Sequence, residues 1–302
     1  MAEVPVGVGN SDAQRRFIDE HEAFLREWRE LHRMLESVFI RTHRGPTREE
    51  IERLNGFPDS DPAVIAFEDR VMADQVVFYL GRIAADDFGE LLVLCGNGLG
   101  VGGYKNLRGM YERVVTAAFI SKNPPEARVF IEHDAIEKWK LWQRFVGVMP
   151  GIKSRYSIDQ ITGLEQQWEE AKAKRAASHC KKCGQPITAE AWTRVDLETM
   201  AKNADANLAA LYASCYLQPT FHSHATMYGL NCRLRQAEGG SWTYKENSEE
   251  EARLAVLLGH NLILRLLGLQ NEHFKLGLDA EIQARIEVFP KIWDQAETAS
   301  AS

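Results

Sequence analysis

The stretch 86–126, DDFGELLVLCGNGLGVGGYKNLRGMYERVVTAAFISKNPPE, decides how this chain folds. It reads as a helix from Phe88 to Cys95, a glycine-rich turn from Gly96 to Gly103, a second helix carrying Leu107 to Glu112, and a break at Asn123-Pro124-Pro125. Gly98, Gly100 and Gly103 have the spacing of a dinucleotide-binding turn, follow the apolar run Leu91 to Leu94 and precede a helix. Such a turn belongs between a strand and a helix inside a βαβ unit. Here the apolar run continues the helical segment from Phe88, and no further strand follows at βαβ spacing. Lys105 is misplaced for a phosphate loop, with no Ser or Thr after it. The glycines therefore read as a connection between two antiparallel helices.

Helical periodicity extends in both directions from this pair. Ser11 caps a helix predicted from Asp12 to about His43, with Phe17, Phe24, Trp28, Leu31, Leu35 and Val38 at three- and four-residue steps. Pro46-Thr47-Arg48-Glu49-Glu50 opens a short helix, with acids at the positive end of its dipole. Asp61-Pro62 opens a third, through about Ala85. Beyond Pro125 the pattern predicts helices over 126–148, 158–177, 188–204, 206–217, 249–269 and 273–296, with short strands near Trp242-Thr243-Tyr244. Strand-like alternation is otherwise almost absent. The fold class read from this is all-α, a multi-helix bundle with long antiparallel helices and a small Cys-x-x-Cys loop. One domain is expected over 11–296, with a loop insertion around 178–188 and disordered ends at 1–10 and 297–302.

The chain has 302 residues, 45% of them apolar and 26% charged, enough for a sizeable core without metals or disulfides. Its net charge of −7 argues against a dedicated nucleic-acid binder. Local basic clusters at Arg15-Arg16, Arg41 to Arg48 and Lys172 to Arg175 keep RNA open as a ligand. No apolar run approaches the roughly 20 residues of a membrane span, and residues 1–10 do not resemble a secretory signal. The five cysteines are scattered and odd in number, so a cytoplasmic protein with reduced thiols is expected.

Three groups of residues can carry chemistry. Arg108 and Glu112 share a helix face at i,i+4 and lie among apolar neighbours. They can line a polar cavity or form an internal ion pair that fixes helix register. Cys180 and Cys183, in His179-Cys180-Lys181-Lys182-Cys183-Gly184, have the spacing of half a zinc site. His179, Cys215, Cys232, His222, His224 or another subunit would have to complete it. An unmetallated loop and a redox pair are the other readings. His222 and His224, after Pro219, diverge whether the segment is extended or helical, so one of them can face a polar interior while the other faces solvent. Arg-to-His spacings of the kind found in helical ribonucleases recur at several unrelated places, Arg128 to His133 among them, and discriminate nothing.

The order of signals resembles a bacterial all-helical family of unknown function. Leu107-Arg108-Gly109-Met110-Tyr111-Glu112 is similar to its Arg-containing helix. Asn123-Pro124-Pro125-Glu126-Ala127, Trp192, Glu198 to Lys202, Leu211-Tyr212, Tyr216 and His222 or His224 follow in the family's order, over roughly Asp86 to Leu230. The resemblance implies an all-α fold in which Arg108, Glu112 and one of the two histidines converge. This chain has Gln218 or Thr220 where relatives carry Ser, and its Cys-x-x-Cys loop looks like an addition. Two functions are consistent with these readings. One is an interaction or regulatory module, zinc-stapled at Cys180 and Cys183, acting as a homo-oligomer or on a protein partner. The other is a hydrolytic enzyme of helical ribonuclease type, as in toxin and phage-defence systems. There His222 or His224 would act as general acid/base, with Arg108 and Glu112 stabilising and orienting an anion.

Overall fold

The computed structural model describes residues 11–41, 45–179, 186–188, 191–237, 239–244 and 248–300. Almost all of them are helical, as the periodicity predicts. The chain opens with α1 (Ser11–Glu20) and α2 (Glu22–Arg41). His21 stands between them, yet His21 N–H donates to Phe17 O and Leu25 N–H to His21 O, so the ladder of the expected single helix nearly survives. The short α3 (Arg48–Leu54) carries a capping box: Thr47 Oγ1 accepts from Glu50 N–H, and the Glu50 carboxylate accepts from Thr47 N–H.

Next come α4 (Pro62–Gly96) and α5 (Gly100–Lys122). The Asp61 carboxylate accepts from Ala63 N–H at 2.8 Å and starts α4. Where the sequence predicts two helices meeting near residues 86–88, α4 runs through unbroken. Two partners hold the acids at this join. Arg82 bonds Asp86 one turn away at 3.2 Å, and Arg113 of α5 bonds Asp87. The glycine stretch is also shorter as a loop than predicted. Only Asn97 to Leu99 connect the helices, and Gly100 to Gly103 belong to α5.

After the break at Asn123-Pro124 come α6 (Pro125–Val148), a 3-10 turn (Pro150–Arg155) and α7 (Ile158–Arg175). A small antiparallel hairpin, β1 (Ala176–His179) with β2 (Pro186–Thr188), follows. The helix expected from Thr188 starts only at α8 (Leu197–Ala204). The one expected over 206–217 is divided into α9 (Ala206–Ala210) and a π-helical turn (Ala213–Leu217) that leads into α10 (Gln218–Ser223). Pro219 therefore does not break the chain here. It sits at the start of α10, where its missing N–H costs nothing. Then come α11 (Met227–Asn231), a hairpin of β3 (Leu234–Gln236) and β4 (Trp242–Tyr244), α12 (Glu249–Phe274) and α13 (Asp279–Ser300). The expected boundary between the closing helices was misplaced: His273 ends α12 instead of opening α13.

The contacts divide the chain into two compact units, with the division passing through α4. The first comprises Met1–Asn55, Asp74–Lys122 and Leu197–Ser302. Its core is α5 against α12. Leu107, Met110, Tyr111, Val114, Val115 and Ile120 of α5 are buried with Leu262, Ile263, Leu266 and Leu267 of α12. Each such side chain contributes about 1.5–3 kcal/mol when fully buried. α12 is long and apolar enough to cross a bilayer, but 61% of its most apolar window is buried inside the protein. Gly100 and Gly103 let α5 approach its neighbours. A side chain at Gly100 would strike the backbone of Ser248 and Ala252, and one at Gly103 would strike Cys95 Sγ.

The second unit comprises Gly56–Ala73 and Asn123–Asp196. Its centre is the antiparallel pair of α6 and α7. Trp139 stacks on Trp168 with centroids 5.1 Å apart, and Trp142 meets Tyr156 edge-on at 5.0 Å. Arg128 of α6 bonds both Glu68 and Asp69 of α4, each at 2.9 Å.

Candidate functional site

All four residues singled out for catalysis belong to the first unit. Arg108 lies on the face of α5 that meets the π-helical turn. Its Nη2 donates to Glu112 Oε1 at 3.0 Å, and its guanidinium lies over the Tyr216 ring, 5.0 Å from the centroid. Burial works against the charge on Arg108, but the Tyr216 hydroxyl and the Glu112 carboxylate outweigh it and raise its pKa. Its Nε is buried without a hydrogen-bond partner.

His222 lies further along the chain on α10. Its ring meets Tyr104 edge-on at 5.5 Å and Tyr228 at 5.8 Å. The Tyr104 hydroxyl is itself held between Ser214 O (3.0 Å) and Gln218 Oε1 (2.7 Å). Burial lowers the pKa of His222, Arg233 and Lys105 lower it further, and Glu251 opposes them. The imidazole is thus biased toward its neutral form, with Nδ1 buried and unpartnered. His224 is exposed and ends α10, its N–H donating to Thr220 O at 3.2 Å.

Cys180 and Cys183, the expected zinc ligands, lie outside the described residues. Among the described residues no group of three or more His, Cys, Asp or Glu is placed to hold a metal ion. Cys215 is fully buried in the π-helical turn, and burial pushes its thiol up to about 12, so it stays protonated at neutral pH.

A second site in the same unit has no counterpart in the sequence reading. The ends of α5, α8 and α12 and the start of α13 enclose a groove of about 1450 Å³. Val114, Leu264, Leu269, Ile282 and Ile286 supply apolar lining, while Lys122, Lys202, Lys275, Asp205, Glu272 and Asp279 supply charges of both signs. The Lys122 ammonium donates to Ala204 O and ties α5 to α8. Asn271 fixes the turn between α12 and α13, donating to Asp279 Oδ1 at 2.9 Å and accepting from Leu278 N–H at 2.8 Å.

Ser121 and His273 form part of the groove wall. Ser121 Oγ is 2.8 Å from His273 Nδ1, and His273 Nε2 is 2.9 Å from Asp74 Oδ1. The carboxylate can only accept, so the network assigns the ring proton to Nε2 and leaves Nδ1 to accept from the Ser121 hydroxyl. These three residues lie 152 and 199 positions apart along the chain. No local motif could have found them, and reading His273 as the start of a helix pointed away from it.

A family described as a family of unknown function (DUF5677) has a model that matches residues 75–241. That span holds α5, Arg108, Glu112, Ser121 and both His222 and His224, but ends before α12 and His273. No curated protein and no solved structure matches the chain. With more than half of its length matched, the chain belongs to this family of unknown function, DUF5677.

Proposed function

We propose that this protein is an interaction module that works in the cytoplasm and that its working surface is the groove of the first unit. The occupant is a helical segment of a partner polypeptide. One observation carries this reading: the groove's size combined with its lining. Small-molecule sites usually enclose about 300–1,000 Å³, and this groove is larger, at about 1450 Å³. A lining that mixes apolar side chains with charges of both signs complements an amphipathic helix, which can lay its apolar stripe on the former and pair its charges with the latter. The fixed turn at Asn271 and the Lys122 tie keep the walls in place before binding, which reduces the ordering cost of association. The free thiols of Cys95, Cys215 and Cys232 suit a reducing compartment.

The test is a photocrosslinking amino acid placed at Gln283, in the groove, in the cells that make the protein. The expected result is a discrete adduct with an amphipathic segment of one partner, absent from a crosslinker at Arg33 on α2. The same adducts from both positions would overturn the reading. Crosslinks only between copies of this chain would make the partner a second copy.

Hydrolysis is the second reading, favoured by the alignment of Ser121, His273 and Asp74 as nucleophile, base and orienting acid. It ranks lower because Ser121 sits at the C-terminal end of α5, where backbone N–H groups are engaged within the helix and offer no oxyanion site. Hydrolysis built on Arg108, Glu112 and His222 or His224 needs those groups on one substrate. Arg108 bonds Glu112 and lies over the Tyr216 ring, while His222 packs edge-on to Tyr104 and Tyr228. Labelling by a fluorophosphonate, lost in Ser121→Ala, would move hydrolysis ahead. Absence of labelling in active cell extracts would remove the serine mechanism.

A further inference from the structure

One corner of the second unit has a composition opposite to that of the whole chain. Between residues 138 and 158 there are five Lys or Arg and no Asp or Glu, in a protein of net charge −7. Lys138 pairs with Asp134, while Lys140, Arg144, Lys153 and Arg155 make no ion pair among the described residues. The segment spans the end of α6, the 3-10 turn and the first residue of α7. Lys174 of α7 bonds Glu132 of α6 at 2.9 Å and Trp168 stacks on Trp139, so this segment forms the turn end of an antiparallel helix pair.

Large apolar side chains project from that end. Val148 is 81% exposed and Ile158 82%, and Leu141, Phe145, Met149 and Tyr156 are exposed beside them. Single exposed apolar residues need no explanation, but a cluster of this kind marks an interaction site. Trp142, buried beneath, braces Tyr156 edge-on and gives the corner a rigid aromatic base.

We propose that this corner is a peripheral docking surface for an anionic lipid bilayer. Three features favour a bilayer over an acidic protein. Side chains projecting from a helix turn enter a fluid interface without a matching recess. Free lysines and arginines extend their charges to headgroups while their stems lie along apolar surface. Tyrosine, exposed here at Tyr156, favours the headgroup level. Because docking is interfacial, it does not require a membrane-spanning helix. It is independent of the groove, which belongs to the other unit.

Flotation of the full chain with vesicles tests the proposal. Vesicles of phosphatidylcholine alone are compared with vesicles containing about a third phosphatidylserine. The protein should float with the anionic vesicles and be released by salt. Lys140→Glu with Arg144→Glu should weaken that binding at least about tenfold. So should Val148→Ser with Ile158→Ser, which are exposed and should leave the melting curve unchanged. Failure to bind either vesicle, equal binding to both, or variants that bind like the parent would overturn the proposal. Binding to soluble polyglutamate as tightly as to anionic vesicles would overturn it in favour of an acidic protein partner.

Discussion

Replacing Gly100 by Ala should destabilise this protein, although alanine is the better helix former. Gly100 opens α5 where that helix meets the first turn of α12. A methyl group there would fall on Ser248 O and Ala252 N, with Ala252 Cα at 2.9 Å. All three are backbone atoms, so no side-chain rotation relieves the clash and the two helices must separate. Overpacking of this kind costs about 1–3 kcal/mol. Separation also weakens the bond from Val101 N–H to Ser248 Oγ, now 3.0 Å, worth about 0.5–1.5 kcal/mol. The gain in helix propensity is at most about 1 kcal/mol, so a net loss of roughly 1–3 kcal/mol remains. Gly102 provides the control. Its added methyl would meet Leu94 side-chain carbons at 3.6 Å and Leu99 Cβ at 3.8 Å, ordinary contacts. Gly102→Ala should therefore be neutral or gain up to about 1 kcal/mol. Urea unfolding followed by far-ultraviolet circular dichroism measures both. A Gly100→Ala protein as stable as the parent, or equal losses at the two positions, would refute the claim that these glycines serve helix contact.

Two further predictions concern the core. His260 is fully buried, accepts from Trp293 Nε1 at 3.2 Å, and has its pKa lowered to about 3 by burial. The unfolded chain binds the proton more readily, so His260 contributes stability fully above about pH 6.5 and loses it as pH falls toward 3. The loss is on the order of 5 kcal/mol over that window. Unfolding from pH 7 to 4 should show most of it, and His260→Leu should flatten that dependence while costing about 1–3 kcal/mol at pH 7 for the unpaired Trp293 N–H. Tyr111→Phe removes the hydroxyl bond to Leu208 O at 2.8 Å and should cost about 1 kcal/mol by urea midpoint.

Helix identity was legible in this sequence wherever local chemistry set it. Asp61-Pro62 and Asn123-Pro124-Pro125 mark boundaries because caps and prolines act within one turn. Periodicity located α12 because its buried face is nearly continuous. The misread joins depended on distant partners. Asp86-Asp87 looks like a break until Arg113, 26 residues on, binds Asp87. The glycines of 100–103 look like a loop until Ser248 and Ala252 fill the space a side chain at Gly100 would need, and Cys95 the space at Gly103. Thr188 to Asp196 has helix-compatible composition, yet α8 starts only at Leu197.

The candidate sites divide in the same way. Arg108 and Glu112 were found because i,i+4 spacing is a local signal, and they do pair. Their expected meeting with a histidine depended on the course of the chain after residue 212. There the π-helical turn and α10 set His222 against Tyr104 and Tyr228. Ser121, His273 and Asp74 meet only through tertiary packing. The basic and apolar residues of 138–158 are visible in the sequence, but which of them face solvent is not. Only exposure separates the buried Trp142 from the protruding Val148.

If a partner helix occupies the groove, its binding must depend on the groove's lining. The most direct measurement titrates the synthetic peptide recovered from the Gln283 crosslink against the full chain and against Ile286→Arg. Ile286 lines the groove and is 36% exposed, so its substitution should leave the fold intact. Micromolar or tighter binding that weakens at least about tenfold in the variant is the predicted result. Equal affinity for both proteins would contradict it and place the working surface elsewhere.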